Sequence, residues 1–362
     1  MRLPHAPPIA PMLAELVREF PERDDLIYEP KWDGFRAIIF RDADEVYIQS
    51  RDEKPLARYF PEVVEGVRAA FPPRAIIDGE LVIAGPRGLD FGAIQQRLHP
   101  AASRIEKLSR ETPASFVAFD LLALGDQSLL EAPFEERRAR LEQVLGGARG
   151  SIVLTPMTVD PARARDWFAR FEGAGFDGVI AKPRSLHYQP NKRVMLKIKH
   201  RRTADCVVAG FRWYQKGEGT RIGSLLLGLF DEAGELHHVG ITSSFKMAQR
   251  AALLEQLAPL RGRALDGHPW ADWARASEEA PKGRRPGMTS RWNADKDLSW
   301  EPLRIERVVE VAYDGLQNAR FRHATTFVRW RIDKRPADCT YAQLEAVPPH
   351  ELSEIFHSDQ GS

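Results

Sequence analysis

The stretch LIYEPKWDGFRAIIF, residues 26–40, sets one lysine, Lys31, between two apolar runs and two residues before an Asp-Gly pair. Two readings compete for it. Asp33-Gly34 is a strong short-turn signal, and β-branched and aromatic residues flank it, so a β-hairpin accounts for both residues. The hairpin leaves Glu29, Lys31 and Arg36 without a reason. In the second reading the turn presents a reactive amine, with Asp33, Gly34 and Arg36 fixed around it. The rest of the chain must decide between them.

The chain has 362 residues, 43% hydrophobic and 28% charged, enough for two or three domains with sizeable cores. No apolar run approaches the ~20 residues of a membrane span. The opening MRLPHAPPIAPMLAEL is broken by prolines and lacks the apolar core of a signal peptide. A cytoplasmic protein with no membrane partner is expected. The two cysteines, Cys206 and Cys339, are too few for a disulfide framework or a four-cysteine zinc site. Each reads as a small core hydrophobe.

A net charge of +1 hides an uneven distribution. Between residues 178 and 204 lie Lys182, Arg184, Lys192, Arg193, Lys197, Lys199, Arg201 and Arg202, with no acid among them. A second cluster holds Lys282, Arg284, Arg285 and Arg291, and a third spans residues 320–335, where Asp333 is the only acid. One such run is ordinarily a solvated face. Three in a near-neutral chain point to a polyanionic partner.

Residues 26–31, 35–41 and 45–50 read as strands joined by tight turns. Residues 75–83, around Asp78-Gly79-Glu80, read as a strand pair or a bulged strand, and 115–124 as a buried strand. Apolar residues at helical spacing mark 134–145 and 162–173 as helices, with Trp167, Phe168 and Phe171 on one face. Strand patterns return at 178–182 and 194–199. Antiparallel strands with helices between them predict an α+β domain over residues 1–202. Short strands at 205–211, 224–230, 236–241, 305–313 and 325–331 follow, with a helix at 247–257 and a polar loop around 262–300. That pattern predicts a small barrel of the OB type over residues 203–362.

The chemistry-bearing residues fall into an ordered set. Lys31-Trp32-Asp33-Gly34-Phe35-Arg36 has the form K-x-D-G-x-R. After it come Ser50-Arg51, Asp78-Gly79-Glu80, Phe119-Asp120, the run from Asp177 and Gly178 to Lys182, Lys197-Ile198-Lys199, and Arg331-Ile332-Asp333-Lys334. In order and spacing the chain resembles the covalent nucleotidyltransferases, the superfamily of ATP- and NAD-dependent polynucleotide ligases and mRNA capping enzymes. The resemblance spans nearly the whole chain. It implies an adenylation domain followed by an OB-fold lid, with Lys31 as the nucleophile that carries a nucleotide.

Residue chemistry agrees with that implication. An amine must be neutral to attack phosphorus, and a lysine with a reference pKa of about 10.4 is neutral about once in a thousand near pH 7.4, a penalty of roughly 4 kcal/mol. Nearby cations favour the neutral form, and Lys182, Lys197, Lys199 and a metal are the candidates. The same cations would bind the α-phosphate and offset charge in the transition state. Phe119 suits stacking on the base, and Glu80 suits ribose hydroxyls. Arg36, Arg51 and Arg193 suit phosphate, and Glu29 completes the nucleotide-binding set. Asp177 matches the metal-side carboxylate of the family, which usually has glutamate there. Arg331, Asp333 and Lys334 match the element that handles the leaving pyrophosphate.

The resemblance also sorts the branches. NAD-dependent ligases carry a further domain before the lysine and a four-cysteine zinc module after it, whereas 30 residues precede Lys31 and two cysteines are present. ATP is therefore the expected nucleotide. The C-terminal half is similar to the OB domain of small bacterial ATP-dependent DNA ligases, the LigC group and the ligase module of LigD. Expected with it are Mg²⁺ (with Mn²⁺ able to substitute), nicked duplex DNA as partner, a monomer, possible end-binding or repair proteins, and a bacterial cytoplasmic, nucleoid-associated location. Two alternatives stand beside it, a GTP-dependent RNA capping enzyme and a non-catalytic OB-fold protein that coats nucleic acid.

Overall fold

The two apolar runs flanking Lys31 form strands that do not pair with each other. In this computed structural model, residues 1–344 are described apart from 86–87, 100, 149, 171–174, 201, 216–217, 276–298 and 318. The chain divides into two units, Met1–His200 and Arg201–Glu345.

The principal strands of the first unit are β1 (Leu13–Val17), β2 (Leu26–Lys31), β3 (Phe35–Asp42), β4 (Glu45–Ser50), β5 (Arg74–Val82), β6 (Ser115–Leu124), β7 (Ile152–Leu154), β8 (Gly178–Pro183) and β9 (Arg193–Lys199). One sheet has the order β1-β9-β8-β2 and the other β7-β6-β5-β3-β4. The hairpin reading of Asp33-Gly34 is thereby overturned, because residues 32–34 carry the chain from one sheet to the other. Gly34 lacks the positive φ that two-residue hairpin turns demand. Its role is close approach: a Cβ there would lie 2.0 Å from the Leu81 carbonyl oxygen. Residues 75–83 resolve as one bulged strand, with register shifts at Ile76/Ile77 and Asp78/Gly79 against β6.

Strand alternation explains how the sheets pack. Ile27, Ile38, Phe40 and Ile76 share one core cluster with Leu122, Phe134 and Tyr188. The opposite faces bury elsewhere: Leu26, Tyr28, Val179 and Ile198 against Ala164 of the Pro161–Arg170 helix, and Ala37, Ile39 and Ile77 against Val63 and Val67 of the Pro61–Ala70 helix. Along the shared face each strand changes character as it nears the crossover. Ile27 gives way to Glu29 and Lys31 on β2, Phe40 and Ile38 to Arg36 on β3, and Ile76 to Asp78 and Glu80 on β5. An apolar core at one end thus becomes a charged site at the other.

In the second unit, β10 (Arg202–Trp213), β11 (Ile222–Phe230), β12 (Leu236–Thr242), β13 (Val308–Tyr313) and β14 (Thr326–Trp330) form a sheet in the order β12-β11-β10-β13-β14. Its outer edges meet at one parallel bridge, Thr242 with Thr325. The expected barrel is therefore an OB-type sheet that curls without closing its ladder. The expected helix forms at Met247–Leu257. The polar-loop expectation for 262–300 needs correction where it is described. Trp270 is fully buried there, stacked on Trp273 and edge-on to Trp300, and its indole N–H donates to the Leu236 carbonyl at 2.6 Å. The basic cluster Lys282, Arg284, Arg285 and Arg291 lies outside the described residues, as do Phe171 and Arg201. Cys206 and Cys339 are both buried thiols, and no helix among the described residues is long and apolar enough to cross a membrane.

Candidate active site

Lys31 ends β2, the edge strand beside β8. Gly178 of β8 pairs with Lys31 on one side and with Lys199 of β9 on the other. Gly178 has φ +136°, and a Cβ there would lie 1.9 Å from the Ile198 carbonyl oxygen, so only glycine fits between the strands. The preceding residue, Asp177, is held by its N–H donating to the Lys31 carbonyl at 3.0 Å. Its Oδ2 then lies 2.6 Å from Lys31 Nζ and 2.8 Å from Lys199 Nζ. Burial raises the Asp177 pKa, but the two ammonium groups outweigh it and hold the carboxyl below its usual range. Two residues further along β8, Ile180 pairs with Glu29 and Lys197. Burial, reinforced by Lys199, Lys31 and Arg193, lowers the Lys197 pKa.

A second wall comes from the other sheet. Arg36 Nε and Nη2 donate to the two oxygens of the fully buried Asp78, both at 2.6 Å, and the Tyr188 hydroxyl donates to the same carboxylate at 2.8 Å. The guanidinium so fixed lies 4.4 Å from the centroid of the Phe119 ring. Glu80 is opposite Arg36 on β5. Burial pushes its carboxyl up to about 7, despite the opposing pull of Lys31 and Arg36.

Glu29 is buried and fully committed. Lys182 Nζ lies 2.6 Å from its Oε2, and Arg138 Nη1 lies 3.2 Å from its Oε1. Arg138 also donates to the Thr155 carbonyl at 2.7 Å. The Thr155 hydroxyl accepts from the Trp32 indole at 2.8 Å, so one buried network braces both Glu29 and the neighbour of Lys31.

Nine of the sequence candidates, Glu29, Lys31, Arg36, Glu80, Phe119, Asp177, Lys182, Lys197 and Lys199, fall on this inter-sheet face or against it. Two others do not join the contact set. Arg193 starts β9 and donates to the Ala14 carbonyl at 3.3 Å, and Arg51 lies in the exposed turn after β4. Arg331, Asp333 and Lys334 belong to the second unit, gathered around Asp205. Arg331 Nη1 donates to both Asp205 oxygens at 2.9 and 2.8 Å, and Lys334 Nζ lies 2.8 Å from Asp205 Oδ2.

Sequence reading missed Tyr188, Arg138, Thr155 and Asp205. Asp205 carried the one local signal, an acid opening the apolar run DCVVAGF. The others are reached only through long-range pairing.

The arrangement pairs an amine with a carboxylate and two further amines beside an aromatic ring and a fixed guanidinium, a set suited to holding a nucleotide and transferring its phosphoryl group. Comparison with known proteins identifies it. Residues 11–199 match the ATP dependent DNA ligase domain, and residues 218–334 match the ATP dependent DNA ligase C terminal region. DNA ligase C of Mycobacterium tuberculosis is 55% identical over 98% of this chain and 99% of its own length. DNA ligase C2 of Mycolicibacterium smegmatis is 53% identical over 98% of each. Among solved structures, a Lig E DNA ligase shares the fold with a TM-score of 0.53 and 18% identity, over 89% of this chain and all of that one. The capping-enzyme and passive-binder alternatives fall with these matches: the chain belongs to the ATP-dependent DNA ligases.

Proposed function

We propose that this ligase seals nicked duplex DNA in three steps, with Lys31 as the adenylated residue. Lys31 Nζ attacks the α-phosphorus of ATP, forming a P–N bond and releasing pyrophosphate. The 5′-phosphate at the nick takes AMP from the lysine, and the 3′-hydroxyl then displaces AMP to close the strand. The observation that carries this reading is the contact of Lys31 and Lys199 with one Asp177 oxygen, at 2.6 and 2.8 Å. In this reading Asp177 holds Lys31 and Lys199 side by side, Lys31 gives its proton to solvent before attack, and Lys197 and Lys199 meet the α-phosphate. Phe119 offers the base a face, Glu80 meets the ribose, and Arg36 is pre-set for phosphate by Asp78 and Tyr188. Glu29 and Lys182 shape the pocket floor, and Arg51 and Arg193 reach phosphates from its rim.

The family uses ATP and a divalent metal. Asp177 suits a hard ion that takes one or two carboxylates and completes its shell with substrate phosphates, as Mg²⁺ does. Bound there, Mg²⁺ (or Mn²⁺) would neutralise phosphate charge. Among the described residues, the one group of three close donors is Asp231, Glu235 and His237, in the second unit.

Arg331, Asp333 and Lys334 serve adenylation in this reading, with residues 203–362 acting as a lid hinged near residues 200–204. Cations there would hold the pyrophosphate in line with the attack. In this reading the enzyme works as a monomer in the bacterial cytoplasm, associated with the nucleoid and beside end-binding or repair proteins.

Intact-mass measurement after incubation with ATP and Mg²⁺ tests the core of the proposal. The parent protein gains one AMP, and Lys31→Ala gains none. Lys31→Arg fails as well, because a guanidinium stays protonated at accessible pH. A normal adenylate on Lys31→Ala would remove the assignment.

A further inference from the structure

Arg331 stands between two carboxylates of different character. Its Nη1 faces Asp205, whose side chain is 10% exposed. Its Nε and Nη2 face Asp333 at 2.9 and 2.8 Å, whose side chain is 61% exposed. Asp205 also accepts from Lys334 Nζ at 2.8 Å. Its backbone is gripped on both sides by one side chain: the Asp205 N–H donates to Gln343 Oε1 at 2.7 Å, and Gln343 Nε2 donates to the Asp205 carbonyl at 3.0 Å. Asp205 lies near the start of β10, opposite Glu310 of β13, and Glu310 is itself paired with Arg329 at 2.6 Å. Asp205 is thus a fixed anion shared by two cations, while Asp333 is a solvated one.

We propose that Asp205 is a positioning residue for adenylation, holding Arg331 and Lys334 side by side so that the Nε/Nη2 edge of Arg331 and the Lys334 ammonium meet one pyrophosphate. A guanidinium edge that takes a carboxylate bidentately also fits a phosphate bidentately. Exchanging the solvated Asp333 for phosphate costs little, since exposed pairs are weak. Losing Asp205 would instead leave two like charges a few ångströms apart without the one anion that they share. The inference rests on the reading that Arg331 and Lys334 act in adenylation.

The test compares Asp205→Asn, Asp205→Glu, Arg331→Ala and Lys334→Ala in two assays, single-turnover adenylation over a range of ATP concentrations and sealing of a nick that already carries a 5′-adenylate. In Asp205→Asn, adenylation efficiency falls about tenfold to a hundredfold, the scale of one or two charge-assisted hydrogen bonds. Pyrophosphate-driven loss of AMP from the adenylated enzyme falls in parallel, and sealing of the pre-adenylated nick persists. Asp205→Glu, which keeps the charge, recovers part of the loss. Adding Asp205→Asn to the Arg331→Ala, Lys334→Ala double variant causes no further loss, because Asp205 acts only through those cations. If Arg331→Ala and Lys334→Ala abolish adenylation while Asp205→Asn does not, the inference alone fails. If neither cation variant affects adenylation, the underlying reading fails and the inference with it. Equal loss of both assays in Asp205→Asn makes Asp205 a structural residue and overturns the proposal.

Discussion

Replacing Glu80 by Gln probes the pocket through its proton. Glu80 faces Lys31, Arg36, Asp33 and Asp78, and burial moves its pKa from 4.5 to about 7. The folded protein therefore keeps a proton that the unfolded chain releases near 4.5. Between those pH values the unfolded state binds fewer protons, so this group's contribution to stability falls as pH rises and levels off above about 7. At about 1.4 kcal/mol for each pH unit, the ceiling is roughly 3 kcal/mol. Glutamine is neutral throughout and escapes that loss. Urea unfolding of parent and Glu80→Gln from pH 5 to 8.5 measures the difference. The variant should gain about 2 kcal/mol relative to the parent, most of it between pH 5 and 7. Its ATP-dependent adenylation should fall, because a carboxylate accepts from ribose hydroxyls better than an amide. A stability difference that stays flat with pH, or runs the other way, would refute a raised Glu80 pKa and the buried pocket inferred from it.

Arg331→Ala or Lys334→Ala should lose sealing with ATP yet still seal a pre-adenylated nick, read on denaturing gels, whereas Lys199→Ala should impair both. Chelation of divalent ions should stop adenylation, with Mg²⁺ or Mn²⁺ restoring the AMP mass gain. Trp270→Ala should destabilise the second unit by about 3–5 kcal/mol, the usual cost of emptying a buried tryptophan site, as a lower midpoint in thermal unfolding.

Residue types at fixed spacings made the chemistry legible, because phosphoryl transfer limits which side chains serve at each position. Some element limits were legible too: the helix at Met247–Leu257 and the strand at Ser115–Leu124 follow from local periodicity, whereas the helices at Pro61–Ala70 and Ala102–Glu111 were not read. Pairing partners were not. Asp33-Gly34 has the local chemistry of a hairpin turn, and only the pairing of β2 with β8, about 150 residues away, turns it into a crossover. Trp270 was missed for a related reason. It sits among polar residues, and its burial depends on a carbonyl supplied by Leu236 on another strand.

What the sequence did display was a broken rule. Strands buried on both faces should read as apolar runs, yet Glu29 stands in IYEPK and Asp78 in AIIDGE. Buried charges persist only when other groups answer them. Here each has its answer: Lys182 and Arg138 for Glu29, Arg36 and Tyr188 for Asp78. Those partners come from the Phe134–Leu145 helix, from β3 and β8, and from the loop between β8 and β9, so no local window contains them. Violations of the burial pattern therefore marked where the site lies, while the groups that make it stable and reactive were set by the pairing of strands far apart in the chain.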